Sequence, residues 1–297
     1  MAWWRFGRRK RQPVVVNTSG QAVPHQMIRG RRFVASIPYV LPKDLQEVSR
    51  LDFQHYMLRY ALRTNYMAPL GRPQSILDVA CGTGRWAKEM AQTFPEANVI
   101  GLDITTHTTD EQQASQPTNY LFVQGNILDG LAFADASFDY THMRLMMAAL
   151  PLDRWQDVVN ELVRVTRPGG WIELVEGDLL YGVGPAFDQL NQWGIDLCQR
   201  RGIDLTIGPR VVNFLRATGL EPVYTHKVLI PTGKRGGRLA AMAETDYMAI
   251  FSSVRGFLIS LGMTNEVEYD QLFKVAQSEM ADGQTPWPFY VAYAQRK

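Results

Sequence analysis

The sequence predicts an α/β fold, a mostly parallel sheet with helices on both faces. Three observations predict it. From Ser75 onward, short apolar runs alternate with helical stretches, which is how successive βαβ units read. The run Gln74–Ala91, Q-S-I-L-D-V-A-C-G-T-G-R-W-A-K-E-M-A, joins a buried strand to a helix through Gly82 and Gly84. A strand, a glycine turn and a helix N-terminus make a cradle for a nucleotide-type cofactor. Asp103 closes the next strand 21 residues beyond Gly82, the spacing of a ribose-binding acid.

The elements follow in order. Residues 12–42 read as irregular, interrupted by Pro13, Pro24, Pro38 and Pro42. Asp44 to about Asn65 reads as a helix, with Leu45, Val48, Leu51, Tyr56 and Tyr60 near one stripe. Pro69, Gly71 and Pro73 end that entry segment. The first core strand is Ile76–Ala80 and the first core helix Arg85–Phe94. Asn98–Asp103 is the second strand, Tyr120–Gln124 the third and Phe138–His142 the fourth. A polar loop, Thr105 to Asn119, carries a short helix around Asp110 to Ser115. Asp153–Thr166 is a helix with Asp153 as N-cap, stopped by Pro168-Gly169-Gly170 before a fifth strand, Trp171–Val175. Helices follow at Pro185–Arg201 and Pro209–Thr218, then a strand-like Pro222–Pro231 and a long helix from Arg238 to about Leu261. Asn265 and Glu268 form a capping-box pair for a last helix ending near Ala281. Pro288–Gln295 is a terminal strand.

This order divides the chain into a basic, irregular arm (1–42), an N-terminal helical cap (43–72) and a cofactor-binding domain (73–297). Helical lid insertions fall at about 179–218 and 233–282.

Composition narrows the class. With 46% hydrophobic and 20% charged residues, the 297-residue chain is globular rather than disordered. No apolar run reaches the ~18 residues of a membrane span. The N-terminus has charge but no apolar core for a signal peptide. Two cysteines, Cys81 and Cys198, offer no disulfide framework, so a cytoplasmic location is expected. Together with five scattered histidines they give no metal-ligand spacing, and no metal is expected. Residues 1–43 carry nine basic residues and no acid, which with a net charge of +2 leaves the remainder at −7. A short basic arm on an acidic body argues against a nucleic-acid substrate and for a small molecule.

Two cofactors compete for the glycine turn. Gly82-x-Gly84-x-x-Ala87 satisfies the dinucleotide fingerprint. Asp78, four residues before the first glycine, would repel a pyrophosphate but suit the ammonium and sulfonium of S-adenosylmethionine (SAM). Gly125-Asn126 offers an amide to an adenine. The ordered set I-L-D-V-A-C-G-T-G, V-I-G-L-D, V-Q-G-N-I, F-D-Y-T-H-M-R and W-I-E-L-V-E resembles the class I SAM-dependent methyltransferases over about Ser75 to Glu176. R-L-D-F-Q-H and M-R-L-M-M-A-A-L look like those of a bacterial small-molecule branch, similar to fungal methyltransferase-like regulators of secondary metabolism.

The resemblance implies a Rossmann-like, seven-stranded, mostly parallel sheet with an antiparallel last strand. It also implies roles by position. Asp78 and the turn Ala80, Cys81 and Gly82 surround the methionine portion of SAM. Asp103 takes the ribose hydroxyls, and Ile104, Asn126 and Ile127 flank the adenine. Met143 and His142 lie near the methyl group. Ala80 stands where the family has glycine, so the turn is expected to open slightly.

Methyl transfer needs alignment and exclusion of water, and a base only where the nucleophile holds a proton. His142 is the candidate base, with a packing histidine as the alternative. Gln54 and His55, in the entry helix, are candidates for the methionine carboxylate or the acceptor. Arg144 suits an acidic substrate. Tyr56, Tyr181, Trp193, Tyr247 and Phe251 are candidates for an apolar lid over a small hydrophobic or aromatic acceptor. The expected activity is methyl transfer to such a metabolite. A non-enzymatic SAM-binding regulator and an NAD-dependent oxidoreductase are the alternatives. The arm and the helical insertions are candidate surfaces for a homo-oligomer.

Overall fold

The structure, a computed structural model, describes residues 24–34, 37–105 and 116–297. The short helix expected around Asp110–Ser115 and the N-terminal basic cluster lie outside the described residues. Part of the segment read as irregular is a hairpin. Strands β1 (His25–Ile28) and β2 (Arg31–Val34) pair antiparallel. They turn through Arg29 (φ 46) and Gly30 (φ 79), the two-residue geometry that needs positive φ at both positions. Phe33 of this hairpin packs edge-on against Phe257.

Helix α1 (Leu45–Leu62) is capped by Asp44, whose side chain accepts from the Glu47 amide. Its buried residues are Glu47, Arg50, Gln54, His55, Met57 and Leu58. The stripe expected from spacing is not the buried one: Leu45 is 80% exposed, and Tyr56 and Tyr60 are exposed as well. The helix buries charge because Glu47, Arg50 and Gln54 meet charged and polar partners, while Met57 and Leu58 join an apolar cluster.

Then come β3 (Ser75–Val79), α2 (Arg85–Thr93), β4 (Asn98–Asp103), β5 (Tyr120–Gln124) and β6 (Phe138–Arg144). Next are α3 (Trp155–Val165), β7 (Thr166–Gly177), α4 (Pro185–Gln199), α5 (Val211–Ala217) and β8 (Val223–Ile230). The chain closes with α6 (Gly237–Ser260), α7 (Glu266–Asp282) and β9 (Trp287–Gln295). Asp153 does not cap α3. It lies in the preceding turn, and the N-cap position, held by Arg154, makes no side-chain cap. Asn265 does cap α7, accepting from the Glu268 amide at 3.0 Å. Pro168-Gly169-Gly170 forms an excursion within β7 rather than a separate turn, with the register shifting before Trp171 pairs Tyr140.

The sheet order is β5-β4-β3-β6-β7-β9-β8, parallel except at β9, which runs antiparallel to both neighbours. Strand order reverses between β3 and β6, so the cleft at their carboxyl ends is the topological switch point where open α/β sheets bind ligands. Trp86, Met90, Ala91 and Tyr140 fill one face of the sheet; Leu77, Phe138, Trp155 and Leu162 fill the other. A third core, built from α1, α4, α6, α7 and the hairpin, stands over the carboxyl edge.

Candidate cofactor and acceptor site

Register brings four chain segments to one edge. Val79 pairs Leu102 on one side and Met143 on the other, and Asp103 pairs Gln124. The residues that follow are therefore Ala80, Ile104, Arg144 and Gly125-Asn126. They line a cleft of about 1000 Å³ of empty space, counting its open mouth. Ala80 stands between Val79 and Cys81 at the head of the turn. It adopts the left-handed conformation (φ 56), Gly82 follows at φ 55, and Cys81 N still bonds Leu102 O at 2.9 Å.

Asp103 is the carboxylate on the lining. One oxygen accepts from Gly82 N at 2.8 Å, the other from Thr105 N at 3.2 Å, and Lys43 Nζ stands 3.6 Å away. Cys81, Gly82, Ile104, Asn126 and Ile127 line the same cavity. Burial and the Asp103 carboxylate push the Cys81 thiol up, which removes any reactive-thiol role. The Asn126 amide is already engaged: its oxygen accepts from Leu128 N at 3.1 Å and its nitrogen donates to Asp129 at 3.2 Å. One lone pair on its oxygen and one N–H remain free among the described residues.

Arg144, His55 and Gln54 also line this cavity. Arg144 Nη2 donates to His55 Nδ1 at 3.0 Å. Arginine only donates, so Nδ1 is the accepting nitrogen and the ring's proton sits on Nε2, which stands 3.2 Å from Glu89 Oε1. Burial, then the Arg144 charge, pushes His55 down to about 4, so the ring is neutral at pH 7.

Three expected residues are absent from the lining. Along β3 and β6, alternation turns Asp78 and His142 toward α2 instead of the cleft. His142 Nδ1 lies 2.9 Å from Asp78 Oδ1, and its ring stacks on Trp86 at 3.8 Å between centroids. His142 is 1% exposed and cannot serve as base for an acceptor. Asp78 is spent on it, so the charge argument that favoured SAM over a dinucleotide fails at that residue. Met143 points to the other face and is core.

The comparisons with known proteins decide the matter. Residues 76–170 match the family described as methyltransferase domain. Methyltransferase str2 of Strobilurus tenacellus is 27% identical over 82% of this chain and 90% of its own length. N-methyltransferase sirN of Leptosphaeria maculans is 29% identical over 79% of this chain and 86% of its own. The secondary metabolism regulator laeA of Aspergillus fumisynnematus is 33% identical over 47% of this chain and 37% of its own. The chain carries a class I SAM-dependent methyltransferase domain. In fold it is similar to a methyltransferase assigned to antibiotic biosynthesis in Anabaena variabilis (TM-score 0.53, 15% identity, 80% of this chain and 97% of that one). It is also similar to Haemonchus contortus phosphoethanolamine N-methyltransferase 2 (TM-score 0.50, 16% identity, 86% of this chain), of which it spans 61%.

The methyltransferase has a second cavity beside the first, of about 930 Å³ of empty space and largely apolar. Tyr247 and Phe251 line it with Leu197, Val254 and Phe289. Tyr247 supplies a fixed polar point: its hydroxyl donates to Asn191 Oδ1 at 2.9 Å and accepts from Leu180 N at 3.3 Å. The other lid candidates lie elsewhere. Tyr56 faces outward from α1, 43% exposed, under the Arg85 guanidinium. Tyr181 is 52% exposed. Trp193 packs on Tyr269 between α4 and α7. Sequence reasoning missed Tyr39, Leu51 and Leu145, which line both cavities along with Gln54. Periodicity puts Leu51 on a helical stripe and says nothing of Tyr39 and Leu145, because the three meet only through the fold.

Proposed function

We propose that this methyltransferase acts on a small, largely apolar metabolite. The observation that carries the reading is the apolar second cavity, enclosed by the added helices and sharing a wall with the cofactor cavity. The lining of the first cavity suits SAM along its length. Ile104, Ile127 and Leu128 offer apolar surface to an adenine, the Asp103 carboxylate matches a ribose diol, and Arg144 offers a cation to the methionine carboxylate. SAM supplies an electrophilic methyl on a sulfonium. The chain's own task is to align an acceptor with it and keep water out.

Titration calorimetry with SAM tests the cofactor half, and absence of binding to folded protein would remove it. Asp103→Ala is expected to weaken SAM by about 1–3 kcal/mol. The acceptor half is tested by incubating the protein with methyl-labelled SAM and an extract of its own cell. Label is expected in small apolar compounds. A regulator that binds SAM without turnover, a reading supported by the match to laeA, is expected to label nothing. No helix among the described residues is long and apolar enough to cross a membrane. A cytoplasmic place of action is supported by the two free cysteines, Cys81 and Cys198, and is checked by cell fractionation. Self-association through the helical insertions is checked by light scattering at two protein concentrations.

A further inference from the structure

The two cavities meet at Tyr39, Leu51, Gln54 and Leu145. Transfer requires the reacting atoms in line and about 3–3.5 Å apart, so they must face each other across this wall. Leu145 is held at φ 58, a left-handed conformation unusual for leucine. Such outliers gather where a site fixes the backbone for function. Leu51 and Leu145 offer only hydrocarbon. The Tyr39 phenol is turned to Arg50, and burial holds it neutral.

Gln54 is the remaining polar group. Its Nε2 donates to Asp246 Oδ2 at 2.7 Å. The other Asp246 oxygen accepts from Arg50 Nη1 at 2.9 Å, and Arg50 is gripped by Glu47 at 2.7 Å. Glu47 and Asp246 are 0% exposed. A carboxylate accepts and does not donate, so this network fixes the amide with its nitrogen toward Asp246 and its oxygen away. Gln54 Oε1 makes no hydrogen bond among the described residues, yet it is not sealed from the cavities its residue lines.

We propose that Gln54 Oε1 orients the acceptor by taking an N–H from a primary or secondary amine carried on an apolar skeleton. The inference rests on the reading of the two cavities as cofactor and acceptor sites. Glutamine, leucine and a neutral phenol cannot take a proton at pH 7, so the wall suits a nucleophile whose lone pair is already free. A neutral amine has one; a hydroxyl or carbon acid must first lose its proton. The second cavity is mostly hydrocarbon, with Arg50 paired to Asp246 and Asp178 pushed by burial toward its neutral form, so it favours the neutral amine over the ammonium. Transfer joins the methyl carbon to the nitrogen lone pair as the carbon–sulfur bond breaks and its electron pair leaves with sulfur. The proton stays on the methylated ammonium, still facing Gln54, and passes to water after release. Asp246, Arg50 and Glu47 act through Gln54 and are positioning residues.

The test needs no turnover. Protein saturated with S-adenosylhomocysteine is titrated calorimetrically with 1-naphthylamine, 1-naphthol, 1-methylnaphthalene and 1-naphthaldehyde. In the wild type the amine is expected to bind about tenfold tighter than the hydrocarbon of the same shape, the scale of one hydrogen bond. Gln54→Met, which keeps the volume, should abolish that preference, measured like the wild type on protein saturated with S-adenosylhomocysteine. Asp246→Asn lets the amide turn over, so preference should pass to the aldehyde, which only accepts. Equal binding of amine and hydrocarbon in the wild type, or an amine preference surviving in Gln54→Met, overturns the proposal. A stronger preference for the naphthol overturns the amine assignment. Failure of every probe to bind contradicts the apolar acceptor cavity. Failure of S-adenosylhomocysteine itself to bind removes the cofactor reading instead.

Discussion

Ala80 shows what a single side chain can cost at a left-handed position. The resemblance called for glycine there, and the expectation was a slightly opened turn. The backbone stands at φ 56, with Cys81 N bonded to Leu102 O at 2.9 Å. The cost appears as conformational energy, because a left-handed alanine brings Cβ against the following carbonyl. Ala80→Gly is therefore expected to stabilise the fold by about 0.5–1 kcal/mol, the steric relief less the added chain entropy of glycine. A midpoint in urea that falls on substitution would refute this. The same scale explains what the sequence concealed about its histidines. His142 and Arg144 sit two residues apart on one face of β6, yet only Arg144 clears the cover of Trp86 and reaches the cavity. Spacing places both on a face, and only the packing of α2 tells which is covered.

Among the elements, α1 is where sequence periodicity misled most. Its existence was legible, since Asp44 opens a run free of proline and glycine. Its buried face was not, because periodicity reveals an apolar stripe and the helix buries Glu47, Arg50, Gln54 and His55. These residues pair with Asp246 and Ser253 on α6 and with Arg144 on β6, partners at least 89 positions away in the chain. Charge buried in this way gives little net stability while intact and is costly to break. Arg50→Met leaves Glu47 and Asp246 buried without their cation and is expected to destabilise by about 3–5 kcal/mol. Arg50→Lys should lose less, since a lysine restores the charge but not the fork that grips both carboxylates. Chemical denaturation of both variants checks the order, and equal losses would mean that charge is not what the network supplies.

At the scale of the whole molecule the sheet was readable because its motifs come in a fixed order, each strand ending on a residue with a job at one edge. What could not be read is how burial shifts the groups behind that edge, and this has a consequence for stability. Glu176, at the end of β7, accepts from Met146 N at 2.7 Å and Met147 N at 3.1 Å, and so holds the loop that follows Leu145. Burial pushes its carboxyl up to about 8, although the two amides pull the other way. Between the ordinary 4.5 and about 8 the unfolded chain has lost this proton while the folded chain keeps it. The folded state is then the one with more bound protons, and stability falls as pH rises through that window. His55 has the opposite sign. Its folded value near 4 lies below the ordinary 6.5, so its contribution is complete above 6.5 and is lost as pH falls toward 4. The two windows oppose each other from about 4.5 to 6.5, which leaves Glu176 acting alone from 6.5 to about 8. Over that interval the wild type should lose stability relative to Glu176→Gln, at up to ~1.4 kcal/mol per pH unit. Urea midpoints of both proteins at pH 6.5 and pH 8 measure the difference directly. A gap between them that stays constant with pH would show that Glu176 enters the fold already ionised, held by its two amides as an anion.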